Sequence, residues 1–170
     1  MKRILALDLG TKTGFAYNWA CAGVDKSVLF PAPACTFTLA TDREITAWGK
    51  NRLARRCDPR VRRLFNILSG MDKPDMVVFE DVQFASYTYQ VQLWSSLRAA
   101  VWLAFVGGNI ECVPVGTLKI WATGCGSATK DQMKRAMFTR GLYLGRELDD
   151  NAIDALWLLN WAEHNLGRMD

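Results

Sequence analysis

The stretch "DDNAIDALWLLNWA", residues 149 to 162, constrains this chain more than any other. Ala152, Ile153, Ala155, Leu156, Trp157, Leu158, Leu159 and Trp161 lie almost all round the helix predicted from about Asp150 to His164. A helix apolar on nearly every side is buried on most of them, so the rest of the chain must supply a broad layer to cover it. Asp154 sits inside that apolar sleeve, and Asp150 lies one turn earlier on the same face. Burying an unpaired carboxylate costs on the order of several kcal/mol unless a positive charge offsets it. Two stacked carboxylates with no Lys or Arg nearby in the helix suit a divalent cation. The competing readings are a first-turn acid favoured by the helix dipole at Asp150 and a distant arginine paired with Asp154.

The covering layer reads as a sheet. Residues 3 to 9 alternate as a strand, with Ile4, Ala6 and Asp8 on one face and Leu5, Leu7 and Leu9 on the other. Phe15 to Trp19 and Thr36 to Leu39 read as short strands, completing an antiparallel meander. A long segment from Glu44 to Ser69 ends with Val61, Leu64, Ile67 and Leu68 at helical spacing, and Pro59 breaks it or opens its second half. "DMVVFEDV", residues 75 to 82, is nearly continuous in apolar residues before Glu80, as in a central parallel strand. A helix over Gln90 to Val106 stops at Gly107-Gly108, and "IECVPV" is a further strand. Thr129 and Gln132 form a capping box for a helix ending at Gly141. The prediction is one α/β domain over residues 1–170: a mixed five-stranded sheet, antiparallel strands first and parallel strands after, flanked by helices on both faces.

No apolar run reaches the ~18 residues that span a bilayer, and an acid interrupts the segment where a signal peptide would be apolar. A cytoplasmic protein with no membrane partner is expected. The five cysteines form no C-x-x-C pair and have no histidine nearby, which argues against structural zinc. A net charge of +4 is mild, so any case for nucleic acid rests on where the charge sits. "KNRLARRCDPRVRRL" concentrates seven Lys/Arg between residues 50 and 63, and Arg52, Arg55 and Arg56 could track phosphates. A solvated outer helix face explains the run equally well.

"ILALDLGTKTGFA", residues 4 to 16, carries Asp8 into a Gly-Thr-Lys-Thr-Gly turn. Glu80 and Asp81 follow the apolar run of the central strand and point to opposite faces, so at most one of them shares a site with Asp8. Sites in open α/β sheets gather at the carboxyl ends of parallel strands, where Glu80 falls. Asp8, Glu80, Asp150 and Asp154 could meet there, as hard oxygen ligands of the kind Mg²⁺ or Mn²⁺ prefers. Two such ions about 4 Å apart can activate water and stabilise the leaving oxygen in phosphodiester cleavage. No His, Ser or Cys constellation competes.

At these residues the chain resembles the RuvC family of Holliday-junction resolvases, within the RNase H-like superfamily. The resemblance rests on four ordered blocks that span nearly the whole length: "ILALDLGTKTG", "VVFEDVQF", "VGTLKIWATGCGSATKDQM" and "DDNAIDALWLL". It implies an RNase H-like fold, a homodimer, and symmetric nicks made with two Mg²⁺ ions per site, or Mn²⁺ in their place, across a four-way DNA junction. Virus-encoded members of the family exist, and the departures at Leu9 and Asn151 make such an origin plausible.

The resemblance places Asp8, Glu80 and Asp154 on the family's catalytic acids. The fourth acid is assigned to Asp150, with Asp149 as the weaker choice, because Asn151 stands where the family often has an acid. Lys119 and Lys130 match the family's basic residues near the scissile strand, with Lys130 counted among the catalytic groups. Outside the resemblance, Lys130 reads as a solvated first-turn lysine. Phe84 or Tyr87 falls where the family stacks an aromatic on an unpaired base at the junction centre. Val91, Trp94, Leu97, Val101 and Phe105 recur at helical spacing where the family dimerises; ordinary core packing is the competing reading.

Other classes weigh less. The opening also resembles YqgF-type relatives, RNase H-like proteins linked to ribosomal RNA processing, which lack a block like "GCGSATKDQM". Sugar kinases and actin-like ATPases share a D-x-G-T phosphate loop but need two such domains, so no nucleotide cofactor is expected. A branched-DNA binder that does not cut would gain affinity by losing these acids.

Overall fold

The computed structural model describes residues 2–19, 34–50, 57–81, 87–142 and 148–167. Five strands form one sheet in the order β3-β2-β1-β4-β5: β1 (Ile4–Asp8), β2 (Lys12–Tyr17), β3 (Ala34–Thr38), β4 (Met76–Asp81) and β5 (Asn109–Pro114). The β1–β2 and β2–β3 pairs are antiparallel, and β1–β4 and β4–β5 are parallel. The helices are α1 (Asp42–Lys50), α2 (Pro59–Ser69), α3 (Thr88–Ala104), α4 (Val115–Thr123), α5 (Lys130–Thr139) and α6 (Asp150–Asn165). This is the mixed sheet expected from the sequence. None of the described helices is long and apolar enough to cross a membrane.

Strand alternation divides the core into two layers. Ile4, Ala6, Met76 and Val78 face α4, α5 and α6, while Leu5, Leu7, Val77 and Phe79 face α2 and α3. On the first face α6 lies across β1, β2 and β3 and is buried along most of its circumference. Trp157 is wholly enclosed there, and its indole Nε1 donates to the Met133 carbonyl at 3.2 Å, so the polar edge of the ring is satisfied. The second face is closed by Leu64 and Leu68 of α2 and by Leu97, Ala100 and Val101 of α3.

Local chemistry sets the element ends. Asp58 caps α2, accepting from the Arg60 backbone amide at 2.9 Å, and Pro59 occupies the first turn, where its missing N–H costs nothing. The expected capping box is present at α5, with Thr129 and Gln132 bonded reciprocally at 2.8 and 3.3 Å. Of the two readings of Pro59, the second holds: it opens α2, while α1 covers Asp42–Lys50 and residues 51–56 lie outside the described residues. β2 begins three residues earlier than its apolar pattern suggests, because Lys12, Thr13 and Gly14 pair with Thr38, Phe37 and Thr36. Helix α4 is absent from the sequence prediction, because its nine residues carry too short a pattern to be read alone.

Two sequence expectations change. Leu97, Val101 and Phe105 are buried against the sheet, and Trp94 packs beside them, so most of the stripe read as a dimer surface serves the chain's own core. The apolar side chains that α3 and the residues after it leave exposed are Val91, Trp102, Leu103 and Val106. In the basic run, Arg60 is turned inward. Its guanidinium pairs with Asp58 at 2.6 Å and meets Tyr89 Oη and Thr11 Oγ1, which ties α2 to the first hairpin and the start of α3. Arg63 pairs with Glu44 at 2.9 Å. Arg52, Arg55 and Arg56 lie outside the described residues.

Candidate active site: an acidic cleft at the carboxyl ends of β1 and β4

Asp8 is the last residue of β1, and Glu80 stands beside it, because the parallel register pairs the preceding residues Leu7 and Phe79. Both continue the face that carries Ile4, Ala6, Met76 and Val78, which is the face covered by α6. Asp81 points the other way and is ion-paired with Arg98 of α3. Of the adjacent acids, Glu80 therefore joins Asp8.

Asp154 arrives from above, one turn into α6. Its position depends on Gly14: a Cβ there would stand 2.0 Å from the carbonyl oxygen of Asn151, so only glycine lets the first turn of α6 rest on β2. Asp149 caps that turn, accepting from the Ala152 amide at 3.0 Å and from Thr36 Oγ1 at 2.5 Å. Gly14 lies in the turn after Asp8 and Asp149 directly precedes Asp150, but the positioning role of each comes from the contact of α6 with β2, which no local pattern marks.

The carboxyl groups repel one another and are poorly hydrated. Burial, then Asp154 and Glu80, raise Asp8 to about 8, against the weaker pull of Lys130. Burial and Asp154 raise Glu80 to about 7, opposed by Lys119 and Lys130. Burial raises Asp154 to about 6; Lys130 and Lys119 pull it down and Asp150 pushes it up. Among the described residues none of these three carboxylates makes a hydrogen bond or an ion pair with a protein donor. Such orphaned acids on one side of a sheet are where a divalent cation would offset the repulsion.

Asp150 differs from them. It is exposed, and Lys130 Nζ holds it at 3.2 Å. Partial burial works against the Lys130 charge, but the bond to Asp150, with Asp154 and Asp8 behind it, outweighs that and raises the lysine pKa. Lys119 on α4 is half-buried and near enough to act on both Glu80 and Asp154. Beside the acids opens a cleft of about 590 Å³, lined by Lys12, Lys130, Lys134, Leu148, Asp149, Asp150 and Asn151. Tyr87 is strongly exposed just before α3, and Phe84 lies outside the described residues.

The opening turn is closed on itself. Thr13 Oγ1 donates to the Gly10 carbonyl at 2.8 Å and accepts from the Gly10 amide at 3.3 Å, while the Thr11 carbonyl accepts from the Leu39 amide. Its role here is to turn β1 into β2 directly after Asp8.

The donor set fits a hard divalent cation: carboxylate oxygens, partly desolvated, with lysines rather than histidines or thiolates around them. Among the described residues no group of three His, Cys, Asp or Glu side chains is placed so as to hold a metal ion by itself. Mg²⁺ does not need such a group, since it is commonly held by one or two carboxylates with water and substrate phosphate oxygens completing the shell.

No protein-family model and no curated protein sequence matches the chain. Solved structures do. The chain superposes on Thermus thermophilus RuvC in complex with a Holliday junction substrate with a TM-score of 0.63, at 16% identity over 93% of this chain and 90% of that one. A second structure of Thermus thermophilus RuvC gives a TM-score of 0.56, at 16% identity over 97% of this chain and 96% of that one. The acidic cleft therefore stands on a RuvC-like, RNase H-type fold that runs through nearly the whole chain.

Proposed function

We propose that this chain is a structure-selective DNA endonuclease that resolves four-way junctions, and other branched DNA, by divalent-metal-dependent phosphodiester hydrolysis. The observation that carries this reading is the convergence of Asp8, Glu80 and Asp154, each partly buried and without a protein donor, at one end of the sheet. The likeness of the fold to that of a protein in complex with a Holliday junction substrate supports the choice of DNA.

In this mechanism Asp8, Glu80 and Asp154 would hold two Mg²⁺ ions, or Mn²⁺, with Asp150 contributing from the rim. Ions held there would supply activation of the attacking water and neutralisation of charge on the phosphate. A water oxygen forms a new P–O bond, one P–O ester bond breaks, and the departing oxygen takes up a proton. Lys130 and Lys119 stand at the rim, where positive charge stabilises the phosphoryl oxygens as negative charge builds on them. Tyr87 or Phe84 stacks on an opened base, a contact that contributes ~1–3 kcal/mol. Two symmetric nicks need two such sites, so the active form is a homodimer. Val91, Trp102, Leu103 and Val106 supply the exposed apolar surface for pairing.

A labelled mobile four-way DNA junction incubated with Mg²⁺ or with EDTA tests the reading, beside linear duplex, a Y-fork and structured RNA. Paired symmetric nicks with Mg²⁺, lost in Asp154→Asn, are the expected result. Cutting of RNA alone would transfer the site to RNA processing. Tight junction binding without any cutting would leave a binding protein.

A further inference from the structure

The cleft beside the acids contains more positive charge than the cation-binding role uses. Lys12, Lys130 and Lys134 line it together. Lys130 is committed to Asp150 at 3.2 Å, and Asp149 is committed to the α6 cap and to Thr36. Among the described residues Lys12 and Lys134 have no ion-pair partner at all. They come from different elements. Lys12 is the exposed first residue of β2, and Lys134 is half-buried one turn beyond Lys130 on the same face of α5.

The placement has a physical consequence. A polyanion approaching Asp8, Glu80 and Asp154 meets a cluster of like charge, which repels it at the point where it must come closest. Cations flanking that point offset the repulsion without neutralising the acids themselves. Lysine suits this task, as a compact point charge on a flexible stem that holds a phosphate without reading a base.

The geometry points to a phosphate seat: Lys12 and Lys134 together hold a backbone phosphate next to the one presented to the acids, fixing the strand's path across the cleft. This seat rests on the nuclease reading above. Because a backbone-phosphate contact carries no sequence information, such a seat acts alike on junction and linear duplex and has no sequence preference.

Equilibrium binding of a fluorescent four-way DNA junction and of a linear duplex, followed by anisotropy over a range of KCl with EDTA present to prevent cutting, tests it. Each lost phosphate contact reduces the slope of log K against log salt by about 0.9. Lys12→Ala with Lys134→Ala is expected to weaken both DNAs and flatten the slope by about 1 to 2, depending on whether the lysines share one phosphate or span two. Lys12→Arg with Lys134→Arg is expected to keep the original slope, which separates charge from folding defects. An unchanged slope in the alanine pair, while the parent chain binds steeply, overturns the seat and leaves the nuclease reading intact. A parent chain that binds neither DNA with salt dependence overturns both.

Discussion

Lys130 Nζ lies 3.2 Å from Asp150 Oδ2, and this ion pair separates two acids that a helical wheel places on one face. Asp150 is exposed and paired; Asp154, one turn on, is partly buried and raised to about 6. The two should therefore respond differently to neutralisation. Asp154→Asn is expected to reduce junction cutting by about 10³-fold or more, on the scale of losing a central electrostatic group. Asp150→Asn should cost about 10–100-fold, as a supporting group does. Single-turnover rates on one junction measure both, and equal losses would place Asp150 among the direct ligands.

The raised acids make a pH prediction. Asp8, Glu80 and Asp154 titrate at about 8, about 7 and about 6 in the fold, above their ordinary values, so the folded chain retains protons that the unfolded chain has released. Their contribution to stability is full below about pH 4 and is lost as pH rises through 6 to 8. In EDTA, Asp8→Asn should then melt higher than the parent at pH 8 and match it near pH 4. A chain this size shifts by about 2–4 °C for each kcal/mol recovered. Mg²⁺ should raise the parent's Tm at pH 8, where the acids are free to bind it, and do little at pH 5. Thermal melts at these pH values check both, and a Tm in EDTA indifferent to the Asp8 substitution would contradict the burial of that charge.

Glu80 and Asp81 are neighbours with opposite duties. Glu80 faces Asp154, whereas Asp81 pairs with Arg98 on the far side of the sheet. Glu80→Gln is expected to abolish cutting with little loss of stability. Asp81→Asn should leave cutting within a few-fold of the parent and lower stability by about 1 kcal/mol or less, since the pair is only partly buried. Cutting rates and urea midpoints on the two variants separate the roles.

Gly14 should be intolerant of any side chain. A Cβ placed 2.0 Å from the Asn151 carbonyl must push the first turn of α6 off β2. Gly14→Ala is expected to destabilise the chain by about 1–3 kcal/mol, the usual range for overpacking. It should also cut activity more than that loss alone explains, because Asp154 moves with α6. Gly49→Ala, where a Cβ meets nothing within 4 Å, serves as the control in the same assays.

Alternation of apolar residues in β1 and β4 was enough to put Asp8 on a face with Ile4 and Ala6, and to show that only one of Glu80 and Asp81 could join it. The all-round apolar pattern of α6 likewise announced a buried helix with a misplaced acid. These features are legible because side-chain period follows directly from local backbone geometry. What sequence could not decide were the pairings across space. Residues 97, 101 and 105 form an apolar stripe whether the surface opposite is a second subunit or the chain's own sheet, and only the packing of α3 on β4 chose the latter. Arg60 looked like one more cation in a basic run until its partners Asp58, Tyr89 and Thr11 closed around it. Which of Glu80 and Asp81 faces the acids depended on the register of β4 against β1, and Gly14 gained its meaning only from Asn151, far along the chain. Periodicity specifies which face a side chain takes; what waits on that face is set by long-range packing, which no local pattern records.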